Sequence, residues 1–141
     1  MSDQDNDEPN LYEYLKGVPE VAALIGDRIY EGRIPQHAFE STGRVMDCAV
    51  YQRAGSSGRG VGFCASDGLV PAQYQIDCYS TDTVSKGKVA RAIRHALVDY
   101  CGPMGAVRVN RVLIETEFDS EDPEPGLTRR TQTYTVWYWE G

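Results

Sequence analysis

The residues of this chain whose types could do chemistry are a glycine-rich segment, two histidines, four cysteines and a run of carboxylates. Gly55 to Gly62 (GSSGRGVG) invites comparison with a phosphate cradle. It lacks the Lys-Ser/Thr ending that would hold the outer phosphates and Mg²⁺, and no helix follows whose N-terminus could bind an anion. A mobile surface loop is the better reading. His37 sits in a polar stretch. His95 lies on a helical stretch beside Arg94 and near Asp99 at i+4, so it reads as a helix-surface contact rather than a general base. There is no GxSxG elbow and no HExxH pair. The serines of the loop Ala54 to Asp67 stand where no base could be held within reach. Cys48, Cys64, Cys78 and Cys101 are widely spaced with no CxxC pair, which reads as reduced thiols rather than a zinc site. Glu115, Glu117, Asp119, Glu121, Asp122 and Glu124 pass from a strand end into a proline-rich turn. There they read as solvated, or else as an electrostatic lip facing DNA or a basic partner. The sequence therefore predicts no catalytic residue, no cofactor and no metal.

Bulk properties narrow the class further. The 141 residues suit one compact domain large enough to fold without a metal or disulfide. The net charge of −7 argues against a protein that wraps nucleic acid. It is compatible with an acidic channel through which a duplex slides. No apolar run approaches the roughly 20 residues of a membrane span, and the acidic N-terminal stretch has no signal-peptide character. No membrane partner is expected, and the protein is expected to start life in the cytosol.

The elements that would position these residues follow from periodicity. Met1 to Pro9 (MSDQDNDEP) is expected to be a disordered acidic tail, and residues 10–141 one domain. Asn10 is a good N-cap for an apolar stretch interrupted at Gly17 and Pro19, read as one bent helix or two short ones ending at Gly26. Asp27 to Gly32 reads as a short strand or an extended turn, Arg33 to Arg44 as a loop, and Asp47 to Arg53 as a strand. Ala72 to Ser80 alternates, with Tyr74, Ile76 and Cys78 on one face. A helix is predicted from Val84 to Tyr100, closed by Gly102 and Pro103, because Val89, Ile93, Ala96, Leu97 and Tyr100 share a face. Lys86, Lys88, Arg91 and Arg94 sit mostly off that face. Ala106 to Phe118 and Leu127 to Trp139 flank one acidic turn and predict a long antiparallel hairpin. The fold class is α+β: a mainly antiparallel sheet with one long helix packed across a face and a short N-terminal helical segment. The ending Tyr134 to Trp139 places Tyr134, Val136 and Tyr138 on one face and Trp137 and Trp139 on the other. Both faces then want cover, and a subunit interface could supply one of them.

In this order the segments are similar to a known family. Leu24 to Gln36 (LIGDRIYEGRIPQ) resembles the opening of the phage tail-completion, or tail-terminator, family. Val50-Tyr51-Gln52, then Gln75 to Ser80, then the helical run Val89 to Leu97 match its later segments, so the resemblance spans Leu11 to Trp139. The chain departs from the family pattern at Met46-Asp47-Cys48, where a proline is common, and in its long loop from Arg53 to Pro71. The resemblance implies a structural virion protein, made in the host cytoplasm, that forms a ring, typically a hexamer, at the head-proximal end of the tail. Its partners would be copies of itself, the tail tube protein and the head connector or head-closure protein, with DNA only passing through the bore. Arg33, Pro35, Arg59, Phe63, Trp137 and Trp139 are the expected interface residues. Another virion joint, such as a head-closure or minor tail protein, and a small ligand-binding α+β domain are the competing readings.

Overall fold

The computed structural model describes residues 8–35, 47–55, 68–121 and 127–139. The expected loops at Arg33 to Arg44 and Ala54 to Asp67 fall largely outside them, as do His37, Arg59, Phe63, Cys64 and residues 1–7.

The N-terminal helical stretch is two short helices. Helix α1 (Leu11–Lys16) starts on Asn10, whose side chain accepts a hydrogen bond from the Glu13 amide at 3.0 Å. Gly17 caps its end. Helix α2 (Pro19–Ile25) has proline in its first turn, where a missing N–H costs nothing, and ends on Gly26 at φ +59°. Leu11, Leu15, Val21 and Ile25 are buried, so both helices face the same core. Glu8 and Pro9, at the end of the expected acidic tail, are packed: Pro9 is buried and Glu8 pairs with Arg53 at 2.7 Å.

Helix α3 (Thr83–Leu97) begins on Asp82, which accepts from the Ser85 amide at 3.1 Å. Val89, Ala90, Ala92, Ile93 and Leu97 form its buried stripe. The helix ends earlier than periodicity predicts. Val98 turns extended, Asp99 takes φ +63°, and its amide donates to the Val112 carbonyl at 2.9 Å. A tertiary hydrogen bond thus replaces the next helical one. Gly102 does not close the helix; it opens a strand that the sequence did not reveal.

The strands are β1 (Ile29–Glu31), β2 (Cys48–Gly55), β3 (Leu69–Ser80), β4 (Gly102–Met104), β5 (Val107–Glu121) and β6 (Thr128–Trp139). They form one six-stranded sheet in the order β1-β2-β3-β6-β5-β4. The fold is α+β. Every pairing is antiparallel except β1 with β2. The described helices pack on one face, where Tyr74, Ile76, Cys78, Val109, Val112, Tyr134 and Val136 meet them in one core. The long β5–β6 hairpin predicted from sequence is present, but β5 carries two bulges, at Val109/Arg111 and Ile114/Thr116. Strict alternation would put Val109 and Val112 on opposite faces; the first bulge brings both inward.

Buried polar groups pin the helix to the hairpin. Gln132, fully buried on β6, donates through Nε2 to the Ala90 carbonyl of α3 at 3.0 Å and to Glu117 of β5 at 2.8 Å. Its Oε1 accepts from the Tyr134 hydroxyl at 2.9 Å.

The turn between β4 and β5 supplies a stability test. Gly105 has φ +69°, and a Cβ there would stand 2.6 Å from Asn10 Cβ. Gly105→Ala combines left-handed strain with a clash against the α1 cap. We expect it to lower stability by about 1–3 kcal/mol in urea titration, and an unchanged midpoint would contradict this packing.

Candidate functional site

The surface features that could do work are an open strand edge, the sheet face away from the helices, and a cleft between two helices. The first is set by strand length. Strand β5 runs 15 residues, whereas β4 covers its outer edge only at Val107, Arg108 and Val109. Among the described residues no strand pairs with that edge from Asn110 to Glu121. Exposed backbone edges of this length invite another strand, and carboxylates along them discourage indiscriminate pairing. Glu115, Glu117 and Asp119 lie along this stretch with Phe118 between them, its side chain 55% exposed.

These carboxylates are not simply solvated, contrary to the sequence reading. Glu115 accepts from the Thr135 hydroxyl at 2.9 Å, and Glu117 accepts from Arg94 of α3 at 2.9 Å. Asp119 is forked by Arg130, at 2.7 and 3.2 Å, and lies 3.5 Å from Lys86 Nζ. The Arg130 hydrogen bond holds the Asp119 carboxyl below the usual carboxylate range. Lys86 is itself buried. Its Nζ reaches Thr128 Oγ1 at 2.7 Å, so this lysine spends its stem on the apolar face of α3. A depressed carboxyl contributes stability above its unfolded pKa, near 4, and loses it as pH falls through the folded value. We therefore expect Asp119→Asn to flatten the acid limb of the stability curve below about pH 4. The effect should stay within about 1 kcal/mol, because Asp119 is half exposed and screened. An acid limb of unchanged steepness would contradict the pairing.

On the sheet face turned from the helices, Phe118 stands opposite Thr131, and Trp137 between Pro71 and Arg111. Trp139 stands between Leu69 and Arg108 and is 42% exposed; Trp137 is half-buried. Arg33 and Pro35 follow β1. Their neighbour Ile34 packs against Cys48 and Leu127, at the far end of the sheet from the tryptophans. Along β6, from Leu127 to the two tryptophans, that separation is roughly 35 Å. The expected interface residues among those described thus form two groups rather than one patch. The sequence reading missed Phe118, whose signal is a lone aromatic ring inside an acidic strand.

The cleft lies between α2 and α3, with a volume of about 380 Å³, and is lined by Glu20, Ala23, Leu24, Lys88, Arg91 and His95. His95 meets Glu20 of α2 at 3.8 Å, while Asp99 pairs instead with Arg111.

Nothing in this set resembles a reaction centre. Cys48 and Cys78 are free and buried; burial pushes the Cys48 thiol up to about 12 and Cys78 higher, so neither is a thiolate near neutral pH. Cys101 is free and exposed. Among the described residues no group of three or more His, Cys, Asp or Glu is placed to hold a metal ion, and no helix is long and apolar enough to cross a membrane.

The described residues thus form an α+β unit with an unfinished sheet, exposed aromatic rings and carboxylates engaged in structural pairs. The model of one family, tail completion protein gp17, matches residues 9–139, and the chain belongs to that family. Membership makes it a structural protein of a phage tail. The chain is also similar in fold to a chain in the virion of a native gene transfer agent particle, with a TM-score of 0.73 and 14% identity. The match covers 94% of this chain and 92% of that one. No curated protein sequence matches it.

Proposed function

We propose that the protein is a tail terminator. Copies of it close into a ring, a hexamer, at the head-proximal end of the tail. The ring stops growth of the tail tube and offers the surface on which the head connector or head-closure protein docks. DNA passes through its bore. The observation that carries this reading is the unfinished sheet: a 15-residue strand whose outer edge pairs with another described strand at three residues and is held by the Asp99 amide at Val112, with an exposed Phe118 beside the open stretch beyond. Such an edge gains hydrogen bonds and apolar burial from a neighbouring subunit. Contacts of this kind, made between different surfaces of identical chains, close into rings when the rotation allows. Arg33, Pro35, Arg59, Phe63, Trp137 and Trp139 are proposed to serve the ring and its two joints. They fall into two groups among the described residues, which suits a subunit held between a tube on one side and a connector on the other.

The test is a reconstitution. Purified chain is added to isolated tail tubes together with free tube protein, and tube length is followed by electron microscopy. The reading predicts density capping one tube end and arrested elongation. Tubes that lengthen equally with and without saturating chain would overturn it.

A further inference from the structure

We propose that the cleft between α2 and α3 receives the acidic segment Ser2 to Asp7 of a neighbouring copy of this chain, so that each subunit ties itself to the next. The proposal rests on the ring reading for the identity of the neighbour, but its chemistry stands on the cleft.

The chain carries a net charge of −7, yet three of the six residues lining this cleft are basic and one is acidic. Glu20 faces His95. That leaves Lys88 and Arg91, both exposed and neither engaged in an ion pair among the described residues. Ala23 and Leu24 supply an apolar wall between the charges. A groove of this composition fits a short acidic peptide.

The N-terminal segment has the matching spacing. Asp3, Asp5 and Asp7 alternate with Ser2, Gln4 and Asn6. In an extended chain every second side chain points the same way, so a segment bound in that form would present its three carboxylates as one row about 13 Å long. Lys88, Arg91 and His95 sit at i, i+3 and i+7 on α3, a row of about 10 Å at the helical rise. The two rows are similar in length, and Lys88 and Arg91 are opposite in charge to the aspartates. The segment also leaves the domain at a fixed point. Glu8 is held by Arg53 at 2.7 Å, and the Asn10 amide by the Met104 carbonyl at 3.3 Å. Donor and acceptor are different surfaces of the same chain, which is the arrangement a head-to-tail ring contact requires.

The test uses two full-length variants. One reverses the segment (Asp3→Lys/Asp5→Lys/Asp7→Lys) and the other reverses the cleft (Lys88→Glu/Arg91→Glu). Both substituted cleft side chains are exposed, so the cleft variant should keep the wild-type melting profile, and the melting profile of each variant is recorded beside its assembly. Each variant alone pairs like charge with like, and we expect its self-association in sedimentation velocity to weaken at least about tenfold. Mixing the two restores both contacts between different molecules, so the equimolar mixture should assemble as the wild type does. A labelled Met1–Pro9 peptide should bind the segment-reversed chain, fail on the cleft-reversed chain, and lose at least about tenfold in affinity between 50 and 500 mM salt. Unimpaired assembly of each variant alone overturns the proposal, and so does a mixture that stays dissociated, which would place the segment on its own subunit. The peptide reads the cleft even if the wild-type chain does not assemble. In that case peptide binding keeps the cleft assignment while the ring reading fails; an intact ring without peptide binding overturns the cleft assignment and leaves the ring standing.

Discussion

Gln132→Leu is expected to destabilise the protein by about 2–3 kcal/mol, although leucine fills nearly the same space and is apolar. The cost comes from what is left behind. Tyr134 is fully buried and its hydroxyl donates to Gln132 Oε1. Burial also pushes its phenol far above the ordinary tyrosine range, so the group remains a neutral O–H that needs an acceptor. Removing Gln132 strands that donor and deletes the tie between β6, the Ala90 carbonyl and Glu117. Deleting both partners is a different experiment. Gln132→Leu/Tyr134→Phe removes the stranded hydroxyl together with its acceptor, and replacing both ends of a buried hydrogen bond by apolar groups can be close to neutral. We expect the double variant to recover at least about half of the loss, giving a coupling of roughly 1–2 kcal/mol in a double-mutant cycle. Denaturant titration of the four proteins measures it. Additive losses would mean that the two side chains do not form the network described.

Phe118→Glu is expected to have the opposite profile: little effect on the isolated fold and a large one on assembly. The ring is 55% exposed, so its replacement should change stability by no more than about 0.5 kcal/mol. At the centre of an interface, however, an aromatic anchor carries about 2–4 kcal/mol. Self-association should then weaken at least about thirtyfold. Glutamate adds a further carboxylate between Glu117 and Asp119, which deepens the repulsion toward an incoming strand. Val84→Glu is the control. Val84 is 65% exposed but lies in the first turn of α3, where an acidic residue suits the helix dipole. It should leave both folding and assembly intact. Sedimentation velocity on the two variants separates the outcomes, and assembly of Phe118→Glu at wild-type concentration would remove β5 from the interface.

The parts of the fold that were legible in the sequence are those whose pattern is local. The stripe of α3 through Val89, Ile93 and Leu97, the alternation of β3 at Tyr74, Ile76 and Cys78, and that of β6 at Tyr134, Val136 and Tyr138 all appear in the buried core. What stayed hidden depends on distant partners. Strand β4 is three residues long, and glycine and proline supply two of them, so its pattern reads as a helix stop; it is a strand because β5 offers it an edge. The end of α3 is decided by Val112, fourteen residues after Val98 in the chain. The β5 bulges shift which residues point inward, and no period-two reading registers them. Lys86 reads as a surface lysine until Thr128 and Asp119 are placed beside it. The acidic run shows the same effect at the level of function. Glu115, Glu117 and Asp119 alternate along five residues and look like one solvated cluster, but each is taken by a different partner. The candidate docking surface was only half legible: Trp139, exposed in the structure, stood out in the aromatic ending, whereas Phe118 was hidden by the charges around it.

The most direct test is made in the virus particle itself. A phage whose copy of this gene is interrupted should be grown with and without the chain supplied from a plasmid, and its lysates examined by negative-stain electron microscopy. A role in ending the tube and joining it to the head predicts unattached tails of uneven length and empty-handed heads without the chain, and normal virions with it. Tails of uniform length, already fixed to filled heads in the interrupted strain, would contradict that role.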